Sequence, residues 1–327
     1  MPAAVEIREV SKRYGSHLAV DRLSLLVPAG SLFGLLGPNG AGKTTTIRML
    51  NDIIAPDSGE IRLLDGQRPG SAVSRRVGYL PEERGLYPKM QVLELLTFFG
   101  ELRGVPRREG AKRASAWLER LELTDWAKHK VQDLSKGMQQ KVQFITAVLH
   151  EPELLILDEP WSGLDPINAD VLLEVVREER KKGRTVLFST HIMEQAERVC
   201  DEVCIISRGR KLVEGTIDEL KRDAARGRTV VLAFADEADG ERARPLLEDR
   251  ALVAEARHAA NQVEIDLAAE VTAQGFLERL IAAQVGVRRF ERAEPTLHQI
   301  FVDRVRAQEE SAPAAADAAP AEEATHD

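Results

Sequence analysis

The chain has 327 residues and a formal net charge of −8, with 43% hydrophobic and 30% charged residues. This length allows two domains, at least one of them with a well-buried core. No stretch approaches the ~18 apolar residues of a membrane-spanning helix, and no signal peptide opens the sequence. We therefore expect any membrane role to come through a partner.

The negative charge is concentrated at the C-terminal end. Six of the eight net negative charges lie there, with no lysine or arginine among them: Glu309, Glu310, Asp317, Glu322, Glu323 and Asp327. The rest of the chain has no basic excess, so we do not expect it to bind nucleic acid. The two cysteines, Cys200 and Cys204, have the spacing of neither a zinc site nor a disulfide framework, and free thiols suit a reducing cytosol.

Strands and helices alternate through the first two thirds of the chain. VEIREVSKRYG and LAVDRLSLLVPAG predict paired strands, and SLFGLL predicts a buried strand that runs into a glycine loop and a helix starting near Lys43. From Lys89 to about Asp133 the pattern is helical, and after the helix at Ser135 come the strands ELLILDEP, RTVLFST and EVCIISRG with helices between them. Residues 1–220 are thus predicted to form a mostly parallel α/β sheet with antiparallel strands and an inserted helical subdomain, at about 89–150.

A different pattern begins at about Lys221. RTVVLAFA, ALVAEAR, NQVEIDLA and GVRRFERA predict strands in the order β-α-β-β-α-β, followed by a helix, PTLHQIFVDRV. This order predicts a small α+β ferredoxin-like domain over residues 221–306. Residues 307–327, almost entirely Ala, Pro, Glu and Asp, predict a disordered acidic tail.

The segment GPNGAGKT has the spacing of a phosphate-binding loop and lies between a predicted strand and a predicted helix. In such a loop, backbone N–H groups surround the phosphates, a lysine (here Lys43) reaches the β and γ phosphates, and a hydroxyl (here Thr44) ligates Mg²⁺. A glycine turn without a ligand is the weaker alternative. The residues predicted to hold nucleotide here are Gly37, Pro38, Asn39, Gly40, Ala41, Gly42, Lys43, Thr44 and Thr45.

The segment LLILDEP adds two carboxylates. Its apolar residues predict a buried strand whose end carries Asp158, a candidate Mg²⁺ ligand, and Glu159, a candidate general base for an attacking water. Alone, such an acidic pair is equally typical of a turn. Combined with a phosphate loop it predicts catalysis, with Asp158 ionised against the metal and the pKa of Glu159 raised by partial burial and the neighbouring carboxylate.

The segment LSKGMQQKVQF predicts a helix N-terminus suited to an anion. Ser135 is a favourable N-cap, and Gly137 lets a ligand approach the backbone. A helix N-terminus with free N–H groups binds phosphate readily. The phosphate loop lies about ninety residues earlier, so the sequence predicts two separate phosphate-binding segments.

These segments, in this order over about residues 5–220, resemble the ATPase subunits of ABC transporters. The resemblance places LSKGMQQK at the family signature LSGGQ, and SGLDP, which contains Asp165, at the D-loop. It implies that Tyr14 stacks on adenine and that His191 is the switch histidine that contacts the γ-phosphate. Without the resemblance, a strand tyrosine is more commonly a packing residue and a histidine at a strand end more commonly a surface residue.

Three positions depart from the family pattern. Lys136 and Met138 replace the first Gly and the Gln of LSGGQ, whereas Ser135 and Gly137 are kept. Glu82, in YLPEERGLYP, stands where the family has the Q-loop glutamine. A carboxylate can still ligate Mg²⁺, but unlike glutamine it cannot donate hydrogen bonds. The alternative for both Glu82 and Lys136 is a solvent-exposed charge.

The resemblance also indicates which phosphate the signature segment binds. In this family two nucleotide-binding subunits face each other head to tail, and the signature of one closes over the ATP held by the other. The protein is therefore expected to act as a dimer, in the simplest case a homodimer, that hydrolyses ATP with Mg²⁺ and Glu159 as base.

The variant motifs and the appended C-terminal domain resemble a bacterial subgroup that pairs with separately encoded permeases and mostly exports cargo. This implies an ATPase at the cytoplasmic face of the membrane, held there by an integral membrane permease. Two alternatives remain open. One is a soluble ABC ATPase that acts on ribosomes or nucleic acid, and the other is a C-terminal domain that senses a ligand and regulates the cassette.

Overall fold

The computed structural model describes residues 3–83, 85–224, 229–259, 262–293 and 295–311. Residues 3–224 are called the cassette below, and residues 229–293 the C-terminal module. In the described residues, two sheets belong to the cassette and one to the module. None of the described helices is long and apolar enough to cross a membrane.

The elements of the described chain follow in sequence order. The strands are β1 (Ala3–Tyr14), β2 (His17–Pro28), β3 (Leu32–Leu36), β4 (Ser58–Leu63), β5 (Val77–Leu80), β6 (Leu154–Asp158), β7 (Thr185–Thr190), β8 (Glu202–Ser207), β9 (Arg210–Thr216), β10 (Thr229–Phe234), β11 (Val253–Ala259), β12 (Gln262–Leu267) and β13 (Val287–Arg292). The helices are α1 (Lys43–Leu50), α2 (Ser71–Ser74), α3 (Val92–Leu102), α4 (Arg107–Arg120), α5 (Lys136–Val148), α6 (Pro166–Lys181), α7 (Met193–Val199), α8 (Ile217–Ala224), α9 (Glu237–Glu248), α10 (Ala273–Ala282) and α11 (Leu297–Ser311).

The first sheet of the cassette is antiparallel, with the strand order β2-β1-β4. The predicted pairing of β1 with β2 is confirmed, and its register ends at the hairpin between Tyr14 and His17. Strand β4, which the sequence reasoning missed, pairs with the other edge of β1. It is short and has only two buried apolar side chains, Ile61 and Leu63, so its sequence carries a weak strand pattern.

The second sheet of the cassette has the order β5-β6-β7-β3-β8-β9 and is parallel except for β9. Every residue of β3, β6 and β7 is buried, which explains the apolar runs in their sequences. The carboxyl ends of these three adjacent strands meet at one edge of the sheet. Ligands of open α/β sheets bind at such an edge, and the predicted phosphate loop, Asp158 and His191 all follow these strand ends.

The predicted helical insertion is confirmed. Between Lys89 and Asp133 the structure has α3, α4 and two short 3₁₀ turns, and no strand among the residues it describes there. Leu95 and Leu118 are fully or almost fully buried and pack in the same cluster as Phe144 of α5. This packing ties the insertion to the helix that begins with the signature segment.

The C-terminal module has the predicted order of two helices and four strands. Its sheet is antiparallel throughout, with the order β11-β12-β10-β13, as in ferredoxin-like folds. It has its own apolar cluster, with Val230, Leu232, Ile265, Phe276 and Leu280 all completely buried. The module therefore has a core separate from that of the cassette.

Helix α11 changes two predicted boundaries. Leu297 and Ile300 are buried in the apolar cluster of the cassette, not in that of the module. The predicted boundary after residue 220 falls within α8, against which α11 packs. The predicted tail from residue 307 is also partly wrong because α11 continues to Ser311; residues 312–327 lie outside the described residues.

Candidate active site

The phosphate loop connects β3 to α1 and requires glycine at two positions. A Cβ atom on Gly37 would lie 2.2 Å from the carbonyl oxygen of Ile206, and one on Gly42 would lie 2.5 Å from that of Ala19. Neither backbone oxygen can move away without disturbing a strand. The loop is thus held against β2 and β8, with every predicted nucleotide-binding position from Gly37 to Thr45 in the loop or in the first turn of α1.

The N-terminus of α1 is available to an anion. Gly42 at the N-cap offers no side chain, and no side chain of the described residues caps this helix. The first N–H groups of the helix are therefore free to bind phosphate, and the helix dipole favours a negative charge there. This arrangement supports the phosphate-binding role predicted for the loop.

Lys43 is buried beneath the loop, with only 6% of its surface exposed. Its ammonium group donates hydrogen bonds to the carbonyl oxygens of Gly37, at 2.8 Å, and Pro38, at 3.2 Å. The same nitrogen lies 3.5 Å from Glu159 Oε1. The lysine is thus already aimed into the loop, between the phosphate-binding backbone and the candidate base.

Asp158 lies at the end of β6, beside Thr44 and Ser189. Its Oδ1 accepts hydrogen bonds from Ser189 Oγ, at 2.5 Å, and from Thr44 Oγ1, at 3.4 Å. Its Oδ2 is buried and has no hydrogen-bond partner in the described part of the chain. A buried carboxylate oxygen without a partner, next to a threonine hydroxyl, fits the hard oxygen ligands that Mg²⁺ prefers.

The sequence predicts that Asp158 is ionised against the metal and that the pKa of Glu159 rises. In the metal-free chain, burial raises the pKa of Asp158, against the opposing effect of the hydrogen bonds from Ser189 and Thr44. A bound dication would favour the charged carboxylate and reverse this effect. The rise predicted for Glu159 stays a prediction.

Glu159 is held by its backbone as well as by its side chain. Its φ angle is +46°, and its N–H donates to the carbonyl oxygen of Ser189 at 3.2 Å. Its carboxylate Oε1 lies 3.0 Å from Nδ1 of His191, and Glu159 as a whole is 8% exposed. Lys43 and His191 are far from Glu159 in the sequence, yet both contact its carboxylate.

The signature and D-loop residues do not join this cluster within the chain. The Oγ of Ser135 accepts the N–H of Met138 at 3.3 Å, which confirms its predicted N-cap role, and Asp165 likewise caps α6 through the N–H of Asn168 at 3.0 Å. Both residues are exposed. Among the described residues, no hydrogen bond connects Ser135, Gly137 or Asp165 to the phosphate loop, and their contact with ATP stays a prediction.

Tyr14 and Glu82 are also exposed. Tyr14 lies at the hairpin end of β1, with 46% of its surface accessible and the ammonium of Lys12 at 5.9 Å from its ring centroid. Its ring is free to stack on a base. Glu82 lies in the exposed loop after β5, and its predicted place in the metal set beside Thr44 and Asp158 stays a prediction.

Two functional contacts were missed by the sequence reasoning. Ser189 anchors both acidic residues, because β6 and β7 are adjacent parallel strands and Asp158 is in register with Ser189. The buried Gln143 donates hydrogen bonds to the carbonyl oxygens of Pro81, at 3.1 Å, and Glu83, at 3.0 Å, which fixes the loop around Glu82. Ser189 could have been found from the shared edge of parallel strands, whereas no sequence pattern indicates the role of Gln143.

Two family models match the chain. The model for "ABC transporter" matches residues 20–162, and the model for "ATP-binding protein DrrA1-3-like, C-terminal domain" matches residues 215–305. The first covers the phosphate loop, the signature segment and the acidic pair. The second covers the C-terminal module together with α8 and most of α11.

Curated relatives align over most of the chain. The ABC transporter ATP-binding protein YhaQ of Bacillus subtilis (strain 168) is 42% identical over 301 residues, which are 92% of this chain and 98% of that protein. The Nod factor export ATP-binding protein I of Cupriavidus metallidurans is 42% identical over 241 residues, 73% of this chain and 79% of that protein.

Solved structures share the fold of the cassette. An ATP-binding subunit of an ABC transporter matches with a TM-score of 0.63 at 34% identity, over 68% of this chain and 93% of that chain. A dimeric bacterial ABC transporter cassette, MJ0796, matches with a TM-score of 0.61 at 23% identity, over 65% of this chain and 98% of that chain. With a 42% identical relative aligned over almost its whole length, the chain belongs to the ABC transporter family as an ATP-binding subunit, whose characteristic activity is ATP hydrolysis.

Proposed function

We propose that this chain is the ATPase of an exporter, which binds ATP with Mg²⁺, pairs with a second ATPase subunit and drives a separate membrane permease. The observation that carries the hydrolytic part is the meeting of Lys43 and His191 at the carboxylate of Glu159, directly below the phosphate loop. The export direction is supported by the relative named for Nod factor export. The reported relatives offer no support for an ATPase acting on ribosomes or nucleic acid.

Thr44 and Asp158 are the residues that would hold Mg²⁺. The unpartnered Oδ2 of Asp158 and the neighbouring hydroxyl of Thr44 supply oxygen ligands. The ion, when bound, would neutralise charge on the β and γ phosphates. We keep the exposed Glu82 as a proposed additional ligand.

In the proposed hydrolysis, Glu159 accepts a proton from a water molecule as the water oxygen attacks the γ-phosphorus and the bond to the β-γ bridging oxygen breaks. Lys43 exchanges its hydrogen bonds to Gly37 and Pro38 for phosphate oxygens, and its charge offsets the charge that develops there. His191 orients the carboxylate through its ring nitrogen and contacts the γ-phosphate. ADP and phosphate are released.

The second subunit supplies the half of the site that one chain lacks. Ser135, which is exposed, and Gly137, which is partly exposed, would close over the ATP of the partner, with Asp165 at the same interface and Tyr14 on the adenine. ATP binding would favour the closed dimer and hydrolysis the open one. This two-state cycle would shift a permease between its conformations at the cytoplasmic face of the membrane.

The test uses Glu159→Gln, with Glu119→Gln, an exposed glutamate on α4, as the matched control. We expect the Glu159 variant to lose at least ~100-fold in ATPase rate, because a general base contributes that much, while it still binds ATP. Light scattering should then show a dimer with ATP and a monomer with ADP. A variant that hydrolyses ATP normally, or stays monomeric with ATP, would contradict the proposed site or the proposed dimer respectively.

The permease is tested by affinity purification of the tagged chain from its native membranes in mild detergent, followed by mass spectrometry. A multi-span membrane protein in near-stoichiometric amount is the expected result. Recovery with ribosomes or nucleic acid, and without a membrane protein, would overturn the transport role and leave the ATPase activity intact.

A further inference from the structure

Helix α11 connects the C-terminal module to the cassette by two kinds of contact. Leu297 and Ile300 are 0% and 2% exposed and lie in the apolar cluster of the cassette. From the same helix, the side-chain amide of Gln299 donates a hydrogen bond of 3.0 Å to Glu264 Oε1 on strand β12 of the module. A displacement of the module's sheet would therefore act on α11, and α11 would act on the cassette.

The contact from α11 to the cassette is centred on Glu197, a residue of α7. Its Oε2 accepts the backbone N–H of Leu297, the first residue of α11, at 3.2 Å. Its Oε1 forms an ion pair with Lys221 of α8. A carboxylate at a helix N-terminus is favoured by the free N–H groups and by the helix dipole. The single side chain of Glu197 thus joins α7, α8 and α11.

Helix α7 in turn carries the histidine of the active site. It begins at Met193, two residues after His191, and it is anchored by the buried side chains of Met193 and Ala196. In the described residues, the imidazole of His191 has one polar contact, with Glu159 at 3.0 Å, and the ring is otherwise half exposed. Because so little else holds the ring, its position depends on the backbone between the end of β7 at Thr190 and the start of α7 at Met193.

We infer that Glu197 is a positioning residue for ATP hydrolysis, which transmits the position of the C-terminal module through α7 to His191. It touches neither nucleotide nor the reacting atoms. Its effect is on the distance between His191 and Glu159, and so on the rate of hydrolysis and not on the affinity for ATP. The inference rests on the proposed role of His191, and it gives the module a regulatory function inside each subunit.

The first experiment measures kcat and KM for ATP in the full-length Glu197→Ala and Glu197→Gln variants. The alanine removes both contacts, whereas the glutamine keeps an oxygen that can accept the N–H of Leu297. Glu194→Ala, an exposed position on the same helix, is the matched control. We expect Glu197→Ala to lower kcat about tenfold with KM within about twofold, in the range of couplings between sites, and Glu197→Gln to recover part of the loss.

The second experiment places Glu197→Ala in a His191→Ala background. If Glu197 acts through His191, the double variant loses no more activity than His191→Ala alone, because residues in one coupled unit are not additive. Fully additive losses, or a Glu197→Ala variant with unchanged kcat, would overturn the inference. A His191→Ala variant with normal activity would instead overturn the role proposed for the histidine, which keeps the two failures distinguishable.

Discussion

The phosphate loop and the signature segment of this chain are both built for phosphate, yet their surroundings differ. The loop lies over buried side chains. Lys43, Asp158 and Glu159 are between 0% and 8% exposed, with Lys43 in contact with Glu159, and Asp158 in contact with Ser189 and Thr44. The signature residues Ser135 and Gly137 are exposed or partly exposed, and the hydroxyl of Ser135 is occupied by the local cap of α5.

This difference concerns where each half of the proposed site is completed. The loop half is preorganised within one chain, so its residues are constrained by their own neighbours. The signature half has only local contacts, such as the cap of Ser135, and in the proposed dimer the second subunit completes it. A substitution in the phosphate loop should therefore affect folding and ATP binding together. A substitution in the signature segment should affect these two properties separately.

The largest expected contrast is between Gly37→Ala and Gly137→Ala. A Cβ on Gly37 would lie 2.2 Å from a backbone oxygen, whereas one on Gly137 would meet only a leucine methyl of Leu164 at 3.5 Å. We expect Gly37→Ala to lower the melting temperature and abolish ATP binding. Gly137→Ala should stabilise α5 by up to ~1 kcal/mol, because Ala is the better helix former, and should still bind ATP.

The distinguishing measurement is ATP-dependent dimerisation, by light scattering in a Glu159→Gln background. The Gly137→Ala chain should stay monomeric with ATP, because the added methyl group obstructs the approach of the partner's phosphate. If this chain dimerises and the Gly37→Ala chain binds ATP normally, the contrast between the two regions is wrong.

The next effect is the loss of folding stability caused by the buried carboxylate of Asp158. Burial raises the pKa of Asp158 above its ordinary value of 3.8, so the folded chain binds this proton more tightly than the unfolded chain. The carboxylate therefore costs stability above its folded-state pKa, and that stability is regained as the pH falls through this pKa toward 3.8. We expect Asp158→Asn to raise the melting temperature of the metal-free protein at neutral pH by a few degrees.

The same variant should lose at least ~100-fold in Mg²⁺-dependent hydrolysis, since it replaces an anionic oxygen ligand by an amide. Thermal melts across pH, with and without Mg²⁺ and ATP, check both parts, and Asp125→Asn, an exposed position, serves as control. A stability gain that does not shrink on acidification would show that the charge of Asp158 is not its cause.

The smallest effect is expected for Ser135→Ala. The loss of an N-cap hydrogen bond costs about 1 kcal/mol, or roughly 2 °C in melting temperature for a chain of this size. ATP binding by the single chain should be unchanged, and ATP-dependent dimerisation weakened. Calorimetry and light scattering on the same samples would test this. A loss of ATP affinity in the monomer would contradict the assignment of Ser135 to the signature half of the site.

The sequence was most informative where one local pattern determined the structure. The glycine spacing around Lys43 and the apolar run before Asp158 were sufficient to predict a loop and a buried strand at the same sheet edge. The β-α-β-β-α-β order of the C-terminal module was also predicted from local periodicity, because strands β10 and β12 place a buried residue at every second position over most of their length.

The features that sequence reasoning missed depend on contacts between distant segments. Ser189 reaches Asp158 only because β6 and β7 are neighbours in register. The pKa of Asp158 is set by how deeply the finished sheet buries it, which its sequence neighbours do not determine. Helix α11 was predicted as a helix, but its amphipathic pattern could not show that Leu297 packs against the cassette and not against the adjoining module.

The position of Leu297 and Ile300 also affects how this protein is made. On a ribosome the cassette emerges up to α8 well before these two residues, which follow roughly 75 positions later. At ~5–20 residues per second, the cassette spends about 4 to 15 s with an unfilled apolar surface on α7, α8 and β9. Helix α11 is therefore needed to complete the core of the first domain, and a protein truncated before it would leave that surface exposed to chaperones and to aggregation.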